Sequence, residues 1–164
     1  KKKIYFSNFY LCNNRHEVEK NIDIIIDVFK ELPYKKLIIT SQGSLTKKLM
    51  KKALGAKNIL FLGLVSEKKY NYLLNTCISV INISEEEDFG MSAVEAMAHG
   101  KVTFCLNEGG YKETTKNFYN SIFVSKKNLK NDLKFKISKY DINYLKKMKK
   151  NCLKTADKFS NKIF

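Results

Sequence analysis

The feature that most constrains the fold of this chain is an alternation of short apolar segments with longer segments in which apolar residues recur at helical spacing. The short segments are rich in β-branched residues and run for only about 4–6 residues, which is typical of buried strands. Helical segments between successive strands favour a parallel sheet that is covered on both faces. The pattern therefore predicts a doubly wound α/β fold.

The boundaries of the predicted elements follow from this alternation and from turn residues. Strands are predicted at 9–13, 36–40, 58–62, 78–83, 101–106 and 121–124. Helices are predicted at 18–32, 45–54 and 66–75, after Gly90, near Glu113, and as two lysine-rich helices beyond residue 125. We expect a single Rossmann-like domain over residues 1–164, with its core sheet in residues 9–124 and C-terminal lysine-rich helices in residues 126–164.

The net charge of +15 is concentrated at the C-terminal end of the chain. Residues 126–164 contain thirteen lysines and three acidic residues, a net charge of +10. Such a cluster is either a solvated lysine face or a surface attracted to an anionic membrane, where each nearby lysine contributes about 1 kcal/mol. The chain has no base-stacking aromatic platform or recognition motif, so we expect no nucleic-acid partner.

The cysteines and the apolar segments bear on the compartment. The four cysteines are far apart and form no CxxC or Cys/His pattern, which predicts buried thiols without disulfides, and we expect neither a metal nor a cofactor. No apolar run approaches the ~20 residues of a membrane span, and no signal-peptide pattern opens the chain. We therefore expect a cytoplasmic protein, with peripheral binding to the inner face of the plasma membrane left open by the lysines.

The segment EEEDFGMSAVEAMAHG, residues 85–100, carries the most chemical information. It follows the apolar strand 78–83, turns at Phe89-Gly90 and continues as a helix. Ligands of open α/β sheets bind at the carboxyl ends of the strands, so Glu87 from the loop and Glu95 from the helix are expected to face a crevice. Carboxylates there suit sugar and ribose hydroxyls, which donate hydrogen bonds.

Cationic and glycine residues follow other strands toward the same edge. Arg15 is the one arginine of the chain, and its planar fork can bind two phosphate oxygens, to which Lys20 adds a point charge. Both precede a helix, whose N-terminus favours anions. Loops with Gly43, Gly63 and Gly109-Gly110 follow three further strands.

Together these segments resemble the donor-binding half of retaining GT-B glycosyltransferases of family four, from about residue 9 to residue 164. The EEDFG motif is most similar to the corresponding motif of the mannosyltransferase-like members that build bacterial and archaeal surface polysaccharides. The resemblance implies transfer of a hexose, with mannose as one candidate, from an NDP-sugar donor to a glycan or lipid-linked acceptor. A nucleotide or sugar-nucleotide binding module without transferase activity is the alternative.

The resemblance also implies that a second domain is needed. GT-B enzymes close two Rossmann-like domains around the donor, and the acceptor site lies in the N-terminal one. This chain begins directly before the donor domain, so we expect one half of a GT-B enzyme, without its N-terminal acceptor domain and inactive alone.

Residue roles follow from the same resemblance. The catalytic candidates are Arg15 and Lys20, which contact the donor diphosphate, and Glu87, which approaches the sugar hydroxyls. Glu95 is expected to bind the ribose. The other donor-binding candidates are Gly43 after the second strand, Leu64 and Val65 beside the nucleobase, Phe89, Gly90 and Met91 with backbone N–H groups at the distal phosphate, and Gly109 and Gly110, where the backbone approaches the sugar.

The chain departs from the family at a few positions. Ser41 replaces the first of two loop glycines, Lys101 stands where proline is common, and Ser121 stands where glycine is common. The last two are expected to affect loop shape only. His99 is predicted to cap the C-terminal end of its helix, and His16 either neighbours the diphosphate or lies exposed in a loop.

Overall fold

The computed structural model of the protein describes residues 7–163. It contains one six-stranded sheet in the order β3-β2-β1-β4-β5-β6, and every adjacent pair of strands is parallel. The strands are β1 Phe9–Cys12, β2 Lys36–Thr40, β3 Ile59–Gly63, β4 Ser79–Asn82, β5 Thr103–Leu106 and β6 Ser121–Val124. The predicted doubly wound, Rossmann-like sheet is therefore confirmed.

Helices cover both faces of this sheet. They are α1 Ile22–Glu31, α2 Thr46–Lys52, α3 Glu67–Thr76, α4 Met91–Ala98, α5 Tyr111–Thr114, α6 Leu129–Lys139, α7 Ile142–Lys146 and α8 Lys149–Ile163. Short 3-10 turns at Val18–Lys20 and Lys126–Asn128 precede α1 and α6. No helix within residues 7–163 is both long enough and apolar enough to cross a membrane.

The strand order reverses direction between β1 and β4. β1 pairs with β2 on one side and with β4 on the other, where Tyr10 lies opposite Ser79 and Leu11 opposite Val80. The connections after these two strands leave in opposite directions, which opens a crevice at their carboxyl ends. The loops after β1 and β4 are therefore neighbours at the edge where a ligand is expected.

The two faces of β1 explain why the chain needs helices on both sides. Tyr10 points to the larger core cluster and packs edge-to-face against Phe29 of α1, with ring centroids 5.6 Å apart. Phe9 and Leu11 point to the second cluster, which includes Leu73 and Leu74 of α3. Alternate residues of a strand face opposite sides of a sheet, so an all-apolar strand requires cover on both.

Two helix predictions were wrong in their boundaries. The helix predicted over 18–32 is interrupted at Asn21, which has a left-handed backbone (φ 54°) and donates its side-chain N–H to the Ile83 carbonyl at 3.0 Å. The lysine-rich end forms three helices instead of two, because Asp141 caps a new one, α7, by accepting the Tyr144 N–H at 2.9 Å. Asn and Asp favour such breaks because their short side chains bond to nearby backbone.

The prediction of buried, unpaired thiols is confirmed. Cys12, Cys77, Cys105 and Cys152 are buried and free of disulfides. Burial raises the pKa of each of these four thiols to about 12. At neutral pH they are uncharged core residues.

The larger core cluster should dominate stability. Phe104 is fully buried in β5 against Tyr10, so Phe104→Ala should lower the free energy of unfolding by about 3–5 kcal/mol. Phe135→Ala, on the exposed side of α6, is the matched control and should change it by less than about 0.5 kcal/mol. Urea denaturation followed by circular dichroism measures both, and equal losses would contradict this assignment of the core.

Candidate functional site

A buried polar network joins the loops after β1 and β4. Asn14 donates its side-chain N–H to Asn82 Oδ1 at 2.8 Å and to Ser84 Oγ at 3.2 Å. Asn82 in turn donates to the Ser92 hydroxyl in α4. Buried polar groups of this kind are costly unless paired, so the network fixes the relative position of both loops and of α4. The one signal for it in the sequence is Asn82, a polar residue inside an apolar strand.

Lys20 and Glu87 lie together at this edge. Their Nζ and Oε2 atoms are 3.8 Å apart, and the side chains are 22% and 20% exposed. Glu87 Oε1 accepts the Gly90 N–H at 3.3 Å, immediately before the first residue of α4. The carboxylate therefore lies between an ammonium group and a helix N-terminus, both of which stabilise negative charge.

The Gly90 N–H is consequently engaged within the chain. The sequence expectation placed this N–H, with those of Phe89 and Met91, on a phosphate. Gly90 has a left-handed backbone (φ 73°), and a Cβ there would lie 2.9 Å from Thr114 Oγ1. Glycine is required at this turn by both conformation and space.

Gly109 and Gly110 pack against the loop that carries Glu87. The Gly110 N–H donates to the Glu87 carbonyl at 2.6 Å, and a Cβ on Gly109 would lie 2.6 Å from the same oxygen. A Cβ on Gly110 would collide with the Phe89 backbone nitrogen. Contact between two loops thus gives both glycines a structural reason beyond the expected approach to a sugar.

Glu95 is exposed on α4 and is held by a residue that sequence reasoning missed. Its Oε2 accepts the Tyr70 hydroxyl at 2.8 Å, and Asn13 donates to the same tyrosine oxygen. Burial, and then the charge of Glu95, raise the pKa of Tyr70, so the phenol stays protonated and donates. Within the described side chains Glu95 Oε1 accepts no hydrogen bond, which leaves it available to a ligand. Nothing in the helical spacing of α3 marks Tyr70.

An open depression of about 750 Å³ lies beside the group formed by Lys20, Glu87 and Glu95. It is lined by a second group of predicted site residues. We call it the Arg15 depression; its lining is Arg15, Ser41, Gln42, Gly43, Ser44, Thr46, Lys47 and Leu64. Leu64 is 69% exposed, and Val65 beside it is half-buried. Glu87 and Glu95 lie outside the lining, so the predicted residues form two groups along one sheet edge.

The Arg15 depression is shaped by His16. His16 is 1% exposed, so the alternative of an exposed loop histidine is wrong. Its Nε2 donates to the Thr40 carbonyl at 3.0 Å, and its Nδ1 lies 2.8 Å from the Thr46 hydroxyl. A Cβ on Gly43 would lie 2.7 Å from the His16 carbonyl oxygen, so only glycine fits there. Ser41 has φ 74°, which explains why glycine is usual at that position.

The remaining sequence expectations have mixed outcomes. His99 is the C-terminal cap of α4, as predicted, and its Nδ1 lies 2.9 Å from Asn75 Oδ1. Ser121 was expected to affect loop shape only, but it is buried in β6 opposite Thr103. Lys101 is half-buried beside a cavity at the other edge of the sheet, so loop shape is not its only effect.

His16 should make stability depend on pH. Burial lowers the pKa of His16 from its ordinary value of 6.5, so the unfolded chain binds the proton more readily than the folded one. The stabilising contribution is complete above pH 6.5 and is lost as the pH falls below it. Between pH 8 and pH 5.5 the melting temperature of wild type should fall more than that of His16→Gln. Parallel pH profiles for the two proteins would contradict this role.

The chain matches the family model for glycosyl transferases group 1 over residues 4–159. The uncharacterized glycosyltransferase MJ1178 of Methanocaldococcus jannaschii is 32% identical over 133 residues, which are 79% of this chain and 37% of the relative. The crystal structure of Anabaena Alr3699/HepE in complex with UDP and glucose is 22% identical, with a TM-score of 0.81, over 93% of this chain and 44% of that one.

A third match has a length closer to that of this chain. The crystal structure of the catalytic domain of cholesterol-alpha-glucosyltransferase from Helicobacter pylori is 22% identical, with a TM-score of 0.77, over 93% of this chain and 99% of that one. By contrast, the chain spans less than half the length of MJ1178 and HepE. The structural matches establish the Rossmann-like fold of GT-B domains, and the family match over nearly the whole sequence shows that this chain belongs to the group 1 glycosyltransferases.

Proposed function

We propose that this chain binds the NDP-sugar donor of a retaining glycosyltransferase, which transfers a hexose to a glycan or lipid-linked acceptor. The observation that carries the proposal is the position of Glu87 and Glu95 at the carboxyl edge of the sheet, with Lys20 3.8 Å from Glu87. Mannose is one candidate for the hexose. HepE, which has the same fold, was crystallised with UDP and glucose, so UDP is the first nucleotide to test.

Arg15 and Lys20 would hold the donor diphosphate. They lie on one loop after β1, which the Asn14 network fixes to the end of β4. Arg15 is exposed and can present its fork to two phosphate oxygens, while Lys20 adds a point charge. Negative charge grows on the diphosphate as the bond to the sugar breaks, so these two cations would also stabilise the departing group.

Glu95 would bind the ribose of the donor, and Glu87 would bind its hexose. The available Oε1 of Glu95 suits a ribose hydroxyl, with Tyr70 orienting the carboxylate through its 2.8 Å hydrogen bond. Glu87 would accept hydrogen bonds from the hexose. To do so it exchanges its contact with the Gly90 N–H, which then becomes available to the distal phosphate at the start of α4. A single rotation of the Glu87 side chain would thus allow both the contact of Glu87 with the hexose and that of the Gly90 N–H with the phosphate.

The partners of the whole enzyme are part of the same proposal. We propose that the acceptor and further catalytic groups belong to an N-terminal domain, and that no metal or cofactor is needed because Arg15 and Lys20 supply the positive charge. Some C-terminal lysines are neutralised within the chain, since Lys130 and Lys134 bind Glu31 at 2.5 and 2.8 Å. The rest leave peripheral contact with an anionic membrane on the cytoplasmic side as a secondary proposal.

The direct test of the function is donor binding without turnover. The chain should bind a nucleoside diphosphate and the corresponding NDP-sugar in calorimetry. When an acceptor is added to the NDP-sugar, the chain should show no steady-state release of nucleoside diphosphate. UDP-, GDP- and ADP-sugars are compared in one panel. Failure of all three to bind would contradict the proposed function. Steady transfer by this chain would contradict the need for a second domain.

Arg15 should contribute strongly to nucleotide affinity. Arg15→Ala should weaken NDP binding by roughly 1.5–3 kcal/mol, the range for a hydrogen bond to a charged group. Arg15→Lys should recover only part, because lysine has no planar fork. Lys68→Ala removes one exposed positive charge from α3 and serves as the control. Equal affinities for Arg15→Ala and Lys68→Ala in calorimetry would place Arg15 outside the site.

The two acids should be separable by ligand. Every NDP carries the ribose, so Glu95→Gln should weaken NDP and NDP-sugar alike. Glu87→Gln should weaken binding of the sugar nucleotide relative to that of NDP, because the free nucleotide lacks the hexose. The readout is the ratio of the two dissociation constants for each variant. A ratio that Glu95→Gln alone alters, or that neither variant alters, would show that the roles are wrongly assigned.

A further inference from the structure

A second cavity lies at the opposite edge of the sheet from the candidate donor site. Its volume is about 350 Å³, and its lining is Cys77, Ile78, Gly100, Lys101, Val102, Ile142, Leu145, Lys146 and Lys149. Cys77 and Ile78 precede β4, and Lys101 and Val102 precede β5. These are the amino ends of the strands, one strand length or about 13 Å from the carboxyl edge. We call it the amino-edge cavity.

Three ammonium groups converge on this cavity without counter-ions. Lys101 is half-buried, whereas Lys146 and Lys149 are exposed. Among the described side chains, none of the three has a hydrogen-bond or ion-pair partner. Other lysines of the chain do, such as Lys52, which lies 2.9 Å from Asp27. The cavity therefore brings together three ammonium groups that have no counter-ion among the described side chains.

The packing of Lys149 against Gly100 places its side chain at the amino-edge cavity. Its side chain lies across Gly100, where a Cβ would come within 2.8 Å of Lys149 Cγ. Lys149 is also the first residue of α8, and a helix N-terminus is an unfavourable position for a cation. Both the other lysines and the helix thus repel this ammonium group.

Nothing in the lining neutralises the three lysines. Cys77 is uncharged at neutral pH because burial raises its pKa to about 12. The acid next to the lining in sequence is Asp141, whose carboxylate accepts the Tyr144 N–H at 2.9 Å as the cap of α7. Burial, together with the charges of Lys149 and Lys146, lowers the pKa of Lys101. The folded chain therefore bears a repulsion that a bound anion would relieve.

We propose that the amino-edge cavity binds a phosphate group through Lys101, Lys146 and Lys149. Lysine contacts phosphate as a point charge and needs no fixed fork geometry. Ile142 and Leu145 supply apolar wall beside the cations, which suits a phosphate carried on a partly apolar compound. Such a phosphate comes from a small soluble ester or from a lipid headgroup, and the binding chemistry is the same for both.

Thermal unfolding at constant ionic strength tests the site. Arg15→Ala serves as the background for every protein, because it weakens anion binding at the candidate donor site. Pyrophosphate at ten times its dissociation constant should raise the melting temperature by about 3–6 °C. A second arm replaces it with a short-chain phosphatidic acid below its micelle concentration. Stabilisation by pyrophosphate or by the lipid supports the site and identifies the source of the phosphate.

A matched pair of triple variants distinguishes phosphate binding at the amino-edge cavity from a general effect of positive charge on the protein. Lys101→Met with Lys146→Gln and Lys149→Gln should abolish the stabilisation and, without ligand, raise the melting temperature. Lys68→Gln, Lys127→Gln and Lys154→Gln remove the same charge from exposed positions elsewhere and should retain the stabilisation. Equal loss in both triple variants, or no stabilisation by either ligand in the Arg15→Ala protein, would overturn the proposal.

Discussion

The pairing of β1 with β4 is the constraint on which the rest of the structure depends. It places strands that are far apart in the sequence side by side, with Leu11 opposite Val80, and it reverses the order in which the sheet is built. The loops after these strands then diverge at one edge and leave room between them. Arg15 and Lys20 come from one loop and Glu87 from the other. A cation and an acid that are distant in the sequence thereby become neighbours.

The site is prepared by contacts within the chain. Asn14 and Asn82 connect the loops after β1 and β4 through a buried hydrogen bond. The Gly110 N–H, from the loop after β5, donates to the Glu87 carbonyl and holds the loop after β4 in place. Glu87 itself is held by the Lys20 ammonium group and the Gly90 N–H. A bound donor would replace these contacts with similar ones. Its phosphate would take the place of the Glu87 carboxylate beside Lys20 and the Gly90 N–H, and its hydroxyls would donate to Glu87 in place of the Gly90 N–H. Binding would then exchange partners instead of desolvating unpaired charge.

Much of the fold was predictable because the pattern of apolar residues repeats through the chain. All six strands and the parallel sheet follow from it, and so does the position of Glu87 and Glu95 at the carboxyl edge. The pattern does not contain the contacts that depend on a partner distant in the sequence. The helix break at Asn21 depends on the Ile83 carbonyl, and the hydrogen bond of Tyr70 to Glu95 depends on how α3 packs beside α4. Lys101 acquires its neighbours only when α7 and α8 fold back across the sheet.

The central claim is that the carboxyl edge of the sheet binds a nucleotide sugar, and a crystal structure of this chain with a bound nucleoside diphosphate tests it most directly. The account predicts the diphosphate between Arg15, Lys20 and the start of α4, the ribose beside Glu95, and Glu87 turned away from the Gly90 N–H. A nucleotide bound at another edge of the sheet would contradict the account. So would one bound at this edge with the ribose remote from Glu95.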